Sequence, residues 1–217
     1  MVNRNEKYHP DLILKSNPYK SEGKKLIAIG ASTGGVEAIA KIVQMLPSNL
    51  PPIVITQHIP EGFSTSFANR LNRLASLEVF EANEKMLLQN SCAYLAPGGK
   101  HLLLDKIGND YFVKSIDGER ISRHKPSVDV MFRSVNNVVG KNALAIIMTG
   151  MGDDGSIGIK ELYDNGAYTI AQDESSCVVF GMPKQAIARG AVCEVVGLDE
   201  IPEKIIQFSQ GNLKRGK

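Results

Sequence analysis

The chain has 217 residues, 43% apolar and 22% charged, which is long enough for one well-packed domain. Its net charge of +2 sits at the ends: residues 1–25 hold six Lys/Arg against three Asp/Glu, residues 212–217 hold three basic residues, and sixteen basic and twenty acidic residues lie between. A body of that sign gives no support for nucleic-acid binding, and no apolar run reaches the ~18 residues that span a bilayer. The N-terminus has no hydrophobic signal core, so a cytoplasmic protein is expected. Cys92, Cys177 and Cys193 are odd in number and placed like small hydrophobes, which implies reduced thiols.

Residues 1–24 are polar, with Pro10 and Pro18 and no sustained period, and are expected to be a linker or flexible tail. Residues 25–210 then form the expected domain, and 211–217 a basic tail. Leu26-Ile27-Ala28-Ile29 has the pattern of a strand buried on both faces. A glycine-rich turn follows, and Val36, Ile39, Ala40, Val43 and Leu46 recur at helical spacing. Pro51-Pro52 break the chain before a second strand over 53–55, which ends at Gln57-His58. Phe63, Phe67, Leu71 and Leu74 mark a helix, and a third strand is expected over 77–80.

The middle of the chain departs from this alternation. A strand over 94–96 leads to Pro97-Gly98-Gly99, and two strands over 101–105 and 111–116 flank a turn at Gly108-Asn109-Asp110, close enough to pair antiparallel. Ser127 suits an N-cap for a helix carrying Val128, Met131, Phe132, Val135 and Val139, with Asp129 in its first turn. The most apolar strand, over 143–148, ends in Thr149-Gly150-Met151-Gly152-Asp153-Asp154-Gly155. A helix stopping at Asn165-Gly166, a strand over 168–171, a helix opened by Pro183, a strand over 192–196 and a helix over 201–208 complete the chain. The pattern predicts a doubly wound, mostly parallel α/β sheet with helices on both faces and a small antiparallel hairpin insert.

Ligands of such sheets bind at the carboxyl ends of the strands. Three of those ends carry reactive side chains here: Ser32, His58 and the pair Asp153-Asp154. Serine needs a base to take its proton, histidine serves near neutral pH, and a carboxylate fixes the imidazole's tautomer. Each residue also has a plainer use: Ser32, Asp153 and Asp154 could be helix caps, and His58 could hydrogen-bond within its loop. The turn Gly30-Ala31-Ser32-Thr33-Gly34-Gly35 could instead cradle a phosphate, as the similar turn of short-chain dehydrogenases does. Against that, Gln57-His58 stands where a dinucleotide site needs an acidic residue, and Tyr111…Lys114 is one residue too short for that family's catalytic pair. A catalytically silent regulatory module or a nucleotide-binding protein are the alternatives to an enzyme.

Six segments in one order, over about 25–208, carry a closer resemblance: Ile29-Gly30-Ala31-Ser32-Thr33-Gly34-Gly35, Thr56-Gln57-His58-Ile59-Pro60, Ala96-Pro97-Gly98-Gly99-Lys100-His101, Arg123-His124-Lys125-Pro126-Ser127-Val128-Asp129, Met148-Thr149-Gly150-Met151-Gly152-Asp153-Asp154-Gly155 and Cys177-Val178-Val179-Phe180-Gly181-Met182-Pro183. Together the chain resembles the catalytic domain of the bacterial chemotaxis protein-glutamate methylesterase family, CheB. The resemblance implies a serine hydrolase that removes methyl esters from glutamates on the helical cytoplasmic region of chemoreceptors and deamidates some receptor glutamines. It places the triad on Ser32, His58 and Asp154, and the oxyanion donors on Thr33 and Met151. It implies no cofactor, no metal, no nucleic acid, no membrane insertion and a monomer. His101 and His124 are then expected in structural or substrate-side roles, and Arg123 and Lys125 either as residues that steer an acidic receptor surface or as a solvated helix start. Family members usually carry an N-terminal receiver domain, for which residues before Lys25 are too few. The expectation is an excised catalytic domain or a free-standing member, and phospho-regulation is not carried over.

Overall fold

The structure is a computed structural model and describes residues 7–213 and 215. Seven strands form one sheet: β1 (Leu26–Ala31), β2 (Ile53–Gln57), β3 (Glu78–Glu81), β5 (Cys92–Leu95), β8 (Ala143–Ile147), β9 (Tyr168–Gln172) and β10 (Glu194–Val196). Their order is β10-β9-β8-β1-β2-β5-β3 and every pairing is parallel. The central strands are apolar throughout because both faces are covered. Ile27 and Ile29 pack into a layer with α1 (Gly35–Met45), α2 (Ser64–Leu74) and α6 (Ile201–Gln210). Leu26 and Ala28 face the opposite layer, made by α3 (Val128–Val138), α4 (Ser156–Asp164) and α5 (Met182–Ala188).

The chain starts in the middle of the sheet at β1, winds outward through β2, then returns to β8 on the other side. The switch point therefore lies between β1 and β8, and the segments after both strands open onto one crevice. Register places Ala31 beside Gln57 and Gly30 beside Ile147, so the loops that begin with Ser32, His58 and Met148 leave the sheet side by side.

The antiparallel insert is β6 (His101–Ile107) and β7 (Asp110–Ile116), extended to three strands by β4 (Met86–Leu87). Two residues are too few to show a period, so β4 is not legible in the sequence. The insert lies on α3, where Leu104 N–H donates to Ser134 Oγ at 3.0 Å.

Residues 7–24, expected as a linker or flexible tail, run along α3. Pro10–Leu12 form a 3₁₀ turn, the backbone of Ser122 N–H donates to Tyr8 O at 3.1 Å, and Tyr19 N–H to Asn136 O at 3.0 Å. The buried guanidinium of Arg133 holds the segment through Asp11 and Leu14 O while also pairing with Glu161. Residues 1–6 of the expected tail, and 214, 216 and 217 of the basic tail, lie outside the described residues.

Candidate active site

Ser32 is the first residue after β1. Its N–H donates to Thr149 O at 2.9 Å and its carbonyl accepts Gly35 N–H and Gln57 Nε2, each at 2.8 Å, so its backbone is held from β8, α1 and β2 together. Gly34 and Gly155, at φ +83° and +92°, stand at the equivalent point after β1 and after β8. Each turns the chain into its helix through a left-handed conformation that a side chain disfavours. Ser32 Oγ makes no hydrogen bond among the described residues.

His58 follows β2, with its N–H on Ala31 O at 3.0 Å. Its Nε2 lies 2.7 Å from Asp154 Oδ2. A carboxylate only accepts, so Nε2 carries the hydrogen and Nδ1 the lone pair. Nδ1 is buried and has no partner among the described residues. The ring of His124 stacks on that of His58, with centroids 3.7 Å apart and planes 8° from parallel. Burial pushes both imidazoles down, each to about 4, so both are neutral at pH 7.

Asp154, fully buried, accepts four bonds: Oδ1 from Ser127 Oγ at 2.8 Å and Asp129 N–H at 3.0 Å, Oδ2 from Val128 N–H at 2.7 Å and from His58. It caps α3 across space. Burial pushes its carboxyl up, while the four donors and the positive end of α3 favour the charged form, which alone has acceptor sites for all four. Asp153 points elsewhere, to Lys7 and toward Arg123 Nη2 at 3.9 Å. Burial, and then the Asp154 charge, push the neighbouring Asp129 carboxyl up to about 7.

Thr33 follows Ser32 in the chain, Met151 follows Gly150, which lies against Ser32, and Met151 is 67% exposed. Neither of their N–H groups is hydrogen-bonded among the described residues. Thr149 Oγ1 donates to Thr33 O at 2.9 Å, which ties the two loops together. Gly181 and Met182 donate to Gly150 O, so the segment around Phe180 packs behind the Met151 loop.

The structure joins His58 to Asp154 and sets Ser32 at the neighbouring strand end, and four supports of this group are not legible in the sequence. His124 as a stacking partner, Gln57 as a backbone clamp, Ser122 and the cap made by Asp129 leave no signal beyond ordinary polar residues at turns and helix starts. His101 is a structural bracket: Nε2–H donates to Glu119 O at 2.8 Å and Nδ1 accepts Ser127 N–H at 3.2 Å. Arg123, which is half-exposed, lies 3.9 Å from Asp153, and Lys125 pairs with Asp117 at 2.5 Å. All three cysteines are free thiols; Cys92 is buried, while Cys177 and Cys193 are half-buried. Among the described residues no group of three His, Cys, Asp or Glu side chains could hold a metal ion. No helix among them is long and apolar enough to cross a membrane.

The arrangement is that of a doubly wound α/β domain with a hydroxyl, an imidazole and a buried carboxylate at its switch point. The CheB methylesterase family model matches residues 27–205, and the chain belongs to that family. It is 54% identical over 194 residues to protein-glutamate methylesterase/protein-glutamine glutaminase 1 of Geobacter metallireducens, covering 88% of this chain and 53% of that protein. It is 50% identical to the protein-glutamate methylesterase/protein-glutamine glutaminase of Pectobacterium atrosepticum, covering 95% of this chain and 59% of the relative. The chain thus spans little more than half the length of these curated relatives. The crystal structure of the Thermotoga maritima CheB methylesterase catalytic domain superposes with a TM-score of 0.83 at 37% identity, covering 85% of this chain and 98% of that one.

Proposed function

We propose that this chain is the catalytic part of a protein-glutamate methylesterase that also deamidates glutamines, and that Ser32, His58 and Asp154 perform the reaction. The observation that carries this reading is His58 itself. Its Nε2–H is fixed on a buried carboxylate and its Nδ1 lone pair stands desolvated and unpartnered at the strand end beside Ser32. Ser32 Oγ attacks the γ-carbonyl of a glutamyl methyl ester as its proton passes to Nδ1. Thr33 and Met151 N–H groups take the oxyanion; each such donor is worth about 10²–10³ in rate. The C–OCH₃ bond breaks, Nδ1–H protonates the leaving oxygen, and methanol departs. Water then adds to the glutamyl ester of Ser32, giving a proton to Nδ1 that returns to Ser32 Oγ as glutamate is released. With a glutamine substrate the leaving group is ammonia.

A groove of about 670 Å³ opens beside His58 and His124, larger than one ester side chain and its methyl group require. Lys100, Arg120 and Glu61 line it with no ion-pair partner among the described residues, while Lys125 and Asp117 neutralise each other, which leaves the groove one positive charge in excess. We assign it to the chain flanking the ester, an acidic helical segment such as the cytoplasmic region of a chemoreceptor. A cytoplasmic monomer is the state that fits such a substrate.

Labelling with a fluorophosphonate tests the assignment. A single adduct at Ser32, absent in Ser32→Ala together with methanol release from methylated receptor, is expected. Methanol release by Ser32→Ala above about a thousandth of the wild-type rate would overturn it.

A further inference from the structure

Asp129 is fully buried behind Asp154 and takes no part in the acyl transfer above. Its carboxylate nevertheless reaches two segments that end at His58. Oδ1 accepts the N–H groups of Ile157 and Gly158, both at 2.9 Å, and so caps α4, the helix that starts directly after Asp154 and Gly155. The backbone N–H of Asp129 donates to Asp154 Oδ1 at 3.0 Å. The two aspartates therefore cross-cap: Asp154 satisfies the start of α3, and Asp129, in α3, satisfies the start of α4.

The second oxygen holds another element. Oδ2 accepts Ser122 Oγ–H at 2.9 Å. Ser122 and Arg123, at φ +49° and +73°, are the two central residues of a tight turn closed by Ile121 N–H to His124 O at 3.1 Å and His124 N–H to Ile121 O at 2.8 Å. Residues with a β-carbon keep such conformations only where their surroundings hold them. Here Tyr8 O and Asp129 do so, and the turn lays His124 flat on His58.

We propose that Asp129 is a positioning residue: one carboxylate fixes both the Asp154 that orients His58 and the turn that carries His124 onto the His58 ring. The proposal rests on the acyl-transfer reading above. It is tested with the purified chain on p-nitrophenyl acetate at pH 7.5, with Ser32→Ala as the blank and circular dichroism at the assay temperature to establish folding. Asp129→Ala should lower kcat at least about thirtyfold with KM within about threefold, the pattern of a misplaced catalytic group. Asp129→Asn keeps an oxygen for Ile157 and Gly158 and offers its NH₂ to the Ser122 hydroxyl, so kcat should return to within about fivefold of wild type. Ser122→Ala should lower kcat about three- to tenfold, and no further when combined with Asp129→Ala.

A role confined to stability would lower the melting temperature of these variants and leave kcat of the folded enzyme alone. The proposal is overturned by a folded Asp129→Ala with kcat within threefold of wild type, or by Asp129→Asn as impaired as Asp129→Ala. If Asp129→Ala does not fold, wild-type kcat in Ser122→Ala overturns it. Hydrolysis by Ser32→Ala at the wild-type rate would instead bring down the acyl-transfer reading, and this proposal with it.

Discussion

At the scale of single residues, the adjacent pair Asp153-Asp154 shows how one position apart changes the chemistry. Asp154 is buried on His58 and the start of α3, whereas Asp153 is at the rim with Lys7 and Arg123. Asp154→Asn can no longer hold Nε2–H on an acceptor of the right charge, and kcat should fall by roughly 10⁴. Asp153→Asn should cost less than about tenfold, since it loses only half-exposed ion pairs. Steady-state kinetics on the two variants decides this, and the reverse ranking would put Asp153 in the triad. An unperturbed imidazole would set the acid limb of kcat/KM near 6.5. Burial lowers His58 to about 4, so activity should persist to pH 5 and fall below it. A midpoint at 6.5 would mean that water reaches the ring. Asp129 shifts the other way. Folded it titrates near 7, unfolded near the usual ~3.9, so the folded state holds the extra proton between those values and stability falls as pH rises through them. The difference in melting temperature between Asp129→Asn and wild type should therefore be more favourable to the variant at pH 8 than at pH 5. An equal change at both would remove Asp129 as the source of that slope.

Among the elements, α3 carries more than its length suggests. Its first turn receives Asp154, its Asp129 caps α4, and its far side binds residues 7–19 through Arg133, Asn136 and Asn137. Arg133 is almost wholly buried, and its removal leaves Glu161 in a partly desolvated place without its cation. Arg133→Ala should destabilise by about 2–4 kcal/mol, in the range for one-sided loss of a buried pair with a half-exposed partner. Chemical denaturation checks this, and a loss under 1 kcal/mol would make the pair a surface contact in effect. Element type and order were legible for β1, α1, β2, α2, α3, β8 and α4, because each has a clear period and a chemical stop signal. The two-residue β4 was not, nor was the packing of residues 7–24, where Tyr8, Ile13 and Leu14 meet the small cluster of Leu103, Ile121 and Val130 without helical or strand spacing and polar groups of α3 hold the backbone between.

Across the whole molecule, an acidic body carries a groove in which Lys100 and Arg120, without an ion-pair partner among the described residues, share the lining with His58. Lys100→Glu with Arg120→Glu should lower kcat/KM for methylated receptor about tenfold at low salt, and the difference should shrink as salt screens it. The loss should be far smaller on p-nitrophenyl acetate, which is too short to lie along the groove. Equal losses on both substrates would mean that these cations act on the chemistry rather than on the approach of the chain.

The sequence by itself determined that strands end at Ser32, His58 and Asp153-Asp154, because burial on two faces and a helix restart each leave a local pattern. Its motifs also determined the family. Tertiary structure alone decided which aspartate meets the imidazole, which ring nitrogen is left free, that His124 stacks there, and that Asp129 braces the group. Those contacts join residues as much as 96 positions apart, as His58 and Asp154 are, and their geometry comes from the order of strands in the sheet and the crossing of α3 with α4. A local pattern says where a chain turns; which side chains then converge depends on how separate turns are stacked against one another.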